Sequence, residues 1–386
     1  MYLSFFGLNE ARLWQPDTLF DGSHQPQIAE ARAWWNGHLH LPERRHDTAV
    51  VDGRAYSHFP VMFSIIAATL VPLFGGVPHW FVVAALVLPV PWLAYLLLHR
   101  LTASPWRGAA AAIGLVAGTS LWPVLDKTLR GASPYFVNHT LATIGLLIFL
   151  QEFFGRRRVL VAGVGLVVAT MARQLTAAFA LPLAWMAWSG GEGPRRRSRL
   201  CELALVGAVV AGAPLAMNTL KFGHPLTTGY RLIYAERSDD PFARDAKTYG
   251  LFSWHFVRRN FWHANFGLPK LHRIEMAGKP EYHLRPDFEG TGIWWITPLL
   301  LWLFADFRRI LADPAARVLL VASGLVYAAL LFFHATGAEQ RGFNRFSLDY
   351  LPAVFAVLAP GCFTGRRRWI TAVMVAWSVV YFRWLI

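Results

Sequence analysis

Long apolar blocks alternate along this chain with short polar connections. The blocks run at about 59–76, 79–98, 108–124, 134–154, 159–190, 200–219, 292–310, 316–334, 347–363 and 368–386. Several reach the ~20 residues that carry a helix across ~30 Å of hydrocarbon. Lipid offers no partner to a free backbone amide, so such spans must be helical. The pattern predicts an all-α, polytopic transmembrane helical bundle of about 10–11 spans. The 159–190 block lies between two arginine clusters, and with both clusters on one side it must turn back near Met171–Leu175. The 59–76 block is near the minimum length and carries Pro60 and Pro72, as a tilted or re-entrant piece would. Two polar segments interrupt the pattern, Met1–His58 and roughly Lys221–Thr291. No solenoid repeat or low-complexity tract is visible. The chain therefore divides into a first loop, 1–58, and a transmembrane helical domain, 59–386, that includes the loop 221–291.

Composition agrees with this reading. The 386 residues are 55% apolar and 16% charged, against about a quarter charged in an ordinary soluble domain. The formal charge of +14 would suit a nucleic-acid partner, but its distribution excludes one. Arg156–Arg158, Arg195–Arg197 with Arg199, Arg308-Arg309 and Arg366–Arg368 each flank an apolar block, the pattern of cytoplasmic loops under the positive-inside rule. That rule puts 221–291 outside, with the shorter loops near 126–133 and 335–346. Counted backwards through Arg100 and Arg107, it puts Met1–His58 inside, in conflict with the placement reached below. Trp80, Trp106, Trp122, Trp188, Trp294, Trp295 and Trp369 crowd the block ends as interfacial anchors do. Cys201 and Cys362 have no metal-type spacing and read as packing residues. The first twenty residues lack the basic start and apolar run of a cleavable signal peptide.

Few residues stand out as chemistry. Asp21 sits in a turn beside Gly22, just before an expected helix over Ile28–Trp35 whose Ala, Ile and Trp side suits the membrane interface. It is a candidate general base for a hydroxyl acceptor, or a turn aspartate in a solvated loop; Asp17 and Glu30 are nearby carboxylates. Tyr56, Ser57 and His58 lead into the first block, as the lining of a site entrance or as a turn with an aromatic anchor. Asn138 and His139 open the 134–154 block, and His139 is also readable as an interfacial histidine. Arg173 stands mid-block, where an arginine costs roughly 2.5–3.5 kcal/mol on insertion scales. It should face an interface or a polar cavity, or bond to buried backbone carbonyls. Arg341 and Arg345 lie on the face assigned as outside, which positive-inside statistics disfavour. A guanidinium fork there matches a phosphate, either that of a substrate or that of a lipid headgroup.

Taken together, four segments resemble the GT-C glycosyltransferases, the group that includes protein O-mannosyltransferases and aminoarabinose transferases, and are most similar to its bacterial branch. The first is an acid followed by a helix ending in W-x-G-x-L-x-L, from Asp21 through Trp35, Gly37 and Leu39 to Leu41. The second is GRAYSHFP, Gly53–Pro60, leading into Phe63–Gly75. The third, and most specific, is N-x-x-x-F-G-x-P-x-x-x-G-Y over Asn218–Tyr230. The fourth is N-R-F-x-L-D-Y-L-P, Asn344–Pro352. The resemblance covers nearly the whole chain. It implies a multi-pass enzyme of the plasma (inner) membrane with a polyprenyl-phosphate-linked sugar as donor. The acceptor hydroxyl would belong to a glycan, lipid or protein, and transfer would occur on the non-cytoplasmic face. Carried over, Asp21 is the base, Arg173, Arg341 and Arg345 hold the donor phosphate, and Tyr56, His58, Asn138, His139, Asn218 and Tyr230 line the cavity.

The chemistry is consistent with those roles. A phosphate leaves as an anion and needs cations more than a protonating acid, so one carboxylate suffices where most glycosidases use two. Attack opposite the phosphate gives inversion. The chain also departs from the group. Many relatives have a second acid after the first, and Gly22 stands there instead, which weighs against a divalent metal site while leaving one open; no other cofactor is carried over. The group normally opens with a span before the acid, which none of the first twenty residues provides; a chain truncated at its start would explain this and the topology conflict together. Two other readings remain, a transporter or flippase of lipid-linked sugars and an inactive relative that only binds them. A transporter would more often show paired halves or helices broken at matching positions, and no such symmetry is visible.

Overall fold

The computed structural model describes residues 25–45, 47–130, 134–190, 193–236, 241–276, 279–285, 290–334 and 342–385. The protein is an all-α, polytopic membrane protein. Four of its helices are long and apolar enough to cross a bilayer: His79–Thr102, Pro134–Phe153, Gly193–Phe222 and Pro314–Phe332. A fifth crossing results if Pro105–Ala117 and Leu121–Leu129 count as one broken span, and Met62–Phe74, Val159–Ala172 and Leu351–Cys362 are shorter apolar helices. Full-length spans are thus fewer among the described residues than the ten apolar blocks suggested. The 292–310 block, for instance, is divided into Ile293–Ile296, a 3₁₀ turn at Pro298–Leu301, Trp302–Ala305 and Phe307–Ala312. Pro298 and Asp306 sit at its breaks, and proline lacks the N–H that would continue the helical bonding. Two small antiparallel hairpins, Thr48–Val51 with Arg54–Ser57 and Lys270–Met276 with Lys279–Arg285, lie in the polar segments.

The chain folds as two units. One comprises the described residues up to Leu93 together with Val124–Thr248, and the other Ala94–Pro123 together with the chain from Tyr249 onward.

In the first unit, Pro134–Phe153 packs along Val159–Ala172. Gly145 and Gly165 face each other there, and a Cβ on either would overlap the backbone of the other helix. Small residues of this kind let membrane helices approach closely. Gly145→Leu should therefore separate the pair and cost about 1–3 kcal/mol, read as a lowered thermal midpoint in detergent. The 159–190 block does turn back: its first helix ends at Ala172, Arg173 is extended (φ −147°, ψ 100°), and a 3₁₀ turn over Gln174–Phe179 leads into Ala180–Ser189. The Arg199 guanidinium donates to the carbonyls of Arg157 and Met186, each at 2.9 Å. The start and finish of the block therefore lie together, as arginine clusters on one membrane face require.

The Pro26–Trp35 helix starts with Pro at N1, where the missing N–H is no loss. It ends in a Schellman arrangement, with Gly37 N bonded to Trp34 O at 3.0 Å and His38 N to Ala33 O at 2.9 Å. Gly37 supplies the left-handed residue this needs (φ 75°). Within the protein, Gln27 through Ala31 are all buried. Ile28 and Ala31 share an apolar cluster with Phe63, Ala67 and Val71 of Met62–Phe74. The run of alanines leaves little side-chain bulk between the two helices, which is why the helix is drawn inside.

In the second unit, Pro314–Phe332 packs against Trp254–Phe266 and Leu351–Cys362. Asn260 caps the end of the first of these by donating to the carbonyls of Leu331 (2.8 Å) and Phe333 (2.7 Å). Asp306 joins two of the arginine clusters, pairing with Arg309 at 2.9 Å and with Arg367.

Candidate functional site

Three of the four resembling segments meet in the first unit. The Pro26–Trp35 helix brings Glu30 inward, fully buried, where its Oε2 accepts from Ser64 Oγ at 2.6 Å. The carboxylate also forms an ion pair with Lys221, itself 4% exposed at the end of the Gly193–Phe222 helix. Lys221 Nζ donates in addition to the carbonyl of Ser57 at 3.2 Å. One turn away, Gln27 Nε2 donates to Pro60 O at 2.6 Å and to Asn138 Oδ1 at 3.2 Å. A buried charge is costly unless paired and bonded, so these contacts fix how the first segment, the second segment and the Gly193–Phe222 helix come together.

His58 is held from several sides. Its Nδ1 donates to the carbonyl of Asp47 at 2.6 Å, a bond that fixes the tautomer and leaves Nε2 as the other ring nitrogen. The Asp47 carboxylate accepts from Tyr135 Oη at 2.7 Å. The His58 ring packs edge-on to Tyr230, with centroids 4.5 Å apart. A Cβ at position 229 would collide with His58, so Gly229 is what admits the Tyr230 contact. Asn218 Nδ2 donates to Pro225 O at 3.0 Å and clamps the intervening turn. The spacing of Asn218, Pro225, Gly229 and Tyr230 thus has a mechanical basis: a clamp, a turn, a close approach and a ring contact.

These elements surround a cavity of about 30 Å³, lined on its polar side by Ser57, His58, Thr170, Gln174, Asn218 and Lys221, enough for a water or two. Ser57 is fully buried, and its Oγ has no hydrogen-bond partner among the described residues. The cavity brings the Lys221 ammonium, an imidazole, amides and hydroxyls together within one apolar setting.

Of the residues singled out from sequence, His58 and Asn218 line this cavity, and Tyr230 packs edge-on against His58. Tyr56 packs on Phe222 in an apolar cluster with Ala49 and Ile233. Asn138 is reached through Gln27, and His139 is buried in the same helix, with its carbonyl accepting from Thr143 Oγ1 at 2.9 Å. Arg173 is half-buried and lies in sequence between the lining residues Thr170 and Gln174. Its carbonyl accepts from Thr176 N and Oγ1, at 3.0 and 2.8 Å. Arg345 belongs to the second unit. It is 4% exposed and opens a 3₁₀ turn, Arg345–Asp349, in which every residue is buried. Its guanidinium lies 5.1 Å from the Phe346 ring centroid. Asp21 and Arg341 lie outside the described residues. The sequence reading gave no role to Lys221, Gln27 or Ser64 and left Glu30 only as a nearby carboxylate. A lysine at the end of an apolar helix and a glutamate within an alanine-rich one were the signals available.

No family model and no curated protein matches this chain. Among solved structures it is similar to the Archaeoglobus fulgidus oligosaccharyltransferase in the apo form, at 14% identity and a TM-score of 0.44, over 96% of this chain and 51% of that one. The chain spans about half the length of that protein. A likeness this distant carries neither a fold assignment nor an activity to this chain.

Proposed function

We propose that the protein is an integral-membrane glycosyltransferase of the GT-C type. It would move a sugar from a polyprenyl-phosphate donor to an acceptor hydroxyl, on the non-cytoplasmic face of the plasma membrane. One observation supports this reading above the others: three segments that resemble the GT-C group, widely separated in the chain, pack against one another, and the second and third meet at one polar cavity through their motif residues. Asn218, Gly229 and Tyr230 of the third segment engage a turn and His58 of the second. Glu30 and Gln27 of the first engage Lys221 and the second segment's Pro60.

In this reading the acceptor oxygen attacks the anomeric carbon as the bond from that carbon to the phosphate oxygen breaks. Asp21, four residues before Gln25 in the sequence, takes the hydroxyl proton, and polyprenyl phosphate leaves with the bonding electron pair. Cationic side chains stabilise the charge that develops on the phosphate. Arg173, Arg341 and Arg345 are the candidates, and Arg345 is the strongest because its charge is buried, where each bond to an anion is worth more.

Truncating Arg345 tests the phosphate role. A hydrogen bond to a charged group contributes about 1.5–3 kcal/mol, so Arg345→Ala should weaken binding of radiolabelled polyprenyl-phosphate sugar by about tenfold or more. Expression and thermal midpoint serve as folding controls. Donor affinity equal to the parent's in a folded variant removes Arg345 from the donor site.

A further inference from the structure

The second unit carries a groove unrelated to the polar cavity. It has a volume of about 740 Å³ and runs between the Pro105–Ala117 and Arg367–Val380 helices, which touch where Gly114 meets Val375. Along Arg367–Val380 the lining falls at Arg368, Ala372, Val375, Ala376 and Val379, one face of a helix at three- and four-residue spacing. Trp106, Arg107, Ala110 and Ile113 form the opposing stripe. The groove is graded along its length. Arg107 and Arg368 lie at the end with Trp106 and Trp369, and only apolar side chains follow from there.

We propose that this groove binds one anionic glycerophospholipid of the cytoplasmic leaflet, with its phosphate at Arg107 and Arg368 and an acyl chain along the apolar stripe. Three observations support that occupant over others. The twelve-residue interval from Arg368 to Val380 rises about 18 Å, close to the half-thickness of a ~30 Å hydrocarbon core, so the slot has the length of one leaflet. The cationic end is the cytoplasmic end by the positive-inside rule, where anionic lipids gather. Neither Arg107 nor Arg368 forms an ion pair among the described residues, unlike Arg367, which is held by Asp306. Both are exposed, and Arg368 is braced by the Trp369 ring at 5.2 Å. A second copy of the chain would have to bring carboxylates to meet the two guanidinium groups, whereas a phospholipid supplies the anion and the tail in one molecule.

The test is native mass spectrometry of the delipidated chain in neutral detergent, titrated with phosphatidylglycerol or with phosphatidylcholine of the same acyl chains. The parent should retain one phosphatidylglycerol in preference to phosphatidylcholine. Arg107→Ala with Arg368→Ala should weaken that retention about 30-fold, since each cation near an anionic lipid contributes about 1 kcal/mol and 1.4 kcal/mol is tenfold. Ala376→Trp, which fills the exposed slot and keeps both arginines, should also abolish retention. Thermal midpoints check that the variants fold. The proposal fails if the two lipids are retained alike or if neither variant changes the phosphatidylglycerol titration. It fails equally if the parent is a lipid-free dimer that Ala376→Trp dissociates.

Discussion

Lys221→Ala is expected to destabilise the protein by about 3–5 kcal/mol, the range for removing one partner of a buried ion pair. The loss comes chiefly from the residue left behind. Glu30 is fully buried, and of its contacts only the Ser64 hydroxyl would remain. One hydroxyl donor does not offset the cost of keeping a carboxylate out of water. The Ser57 carbonyl would lose its bond to Nζ as well. The effect should depend on the partner's charge. Glu30→Leu combined with Lys221→Met removes both charges at similar volume, and such replacements are often neutral or stabilising. Thermal unfolding in detergent should therefore show a large drop for the single variant and recovery of most of it in the double. A double variant no more stable than the single would mean that the pair does not act as a unit. Because the pair joins the Pro26–Trp35 helix to the end of Gly193–Phe222, the single variant should also expose the first segment to limited proteolysis.

Asp21→Asn should reduce sugar transfer by about 10²–10⁴-fold, the contribution of a positioned general base, without weakening donor binding. Asparagine keeps the size and hydrogen-bonding reach of the side chain and removes only its ability to take a proton. The donor contacts assigned to the arginines are untouched, so the loss belongs in kcat. A variant as active as the parent takes Asp21 out of the mechanism. Glu30 then offers no ready substitute, since its carboxylate is bound by Lys221 and Ser64.

Much of this architecture was legible in the residue pattern, because lipid allows few solutions. The membrane class followed from block length. The reversal within 159–190 followed from the arginine clusters at both its ends, and the first helix does end at Ala172. The motif over Asn218–Tyr230 was legible as an ordered turn: Asn218 clamps it, Gly223 supplies a positive φ (76°), and Gly229 and Tyr230 meet His58. What stayed hidden depends on partners distant in sequence. Nothing local to Glu30 or Lys221 announces the other, and a short alanine-rich helix reads alike whether it lies on a membrane or inside a protein. The Thr48–Ser57 hairpin was readable but was passed over: Asp52-Gly53, both at positive φ (49° and 76°), is the two-residue turn that hairpins favour. Apolarity alone also does not register where prolines and polar residues divide a block such as 292–310 into short helices.

The most direct test of the sugar-transfer account follows the fate of the donor's bond to phosphate. The purified chain in lipid vesicles is supplied with a polyprenyl-phosphate sugar labelled in the sugar, together with glycan, lipid and peptide acceptors. The account predicts that label leaves the polyprenyl carrier, that one equivalent of polyprenyl phosphate is released per sugar transferred, and that the anomeric configuration inverts. Label that stays on its carrier with every acceptor class, or crosses the vesicle bilayer with the sugar–phosphate bond intact, would contradict it.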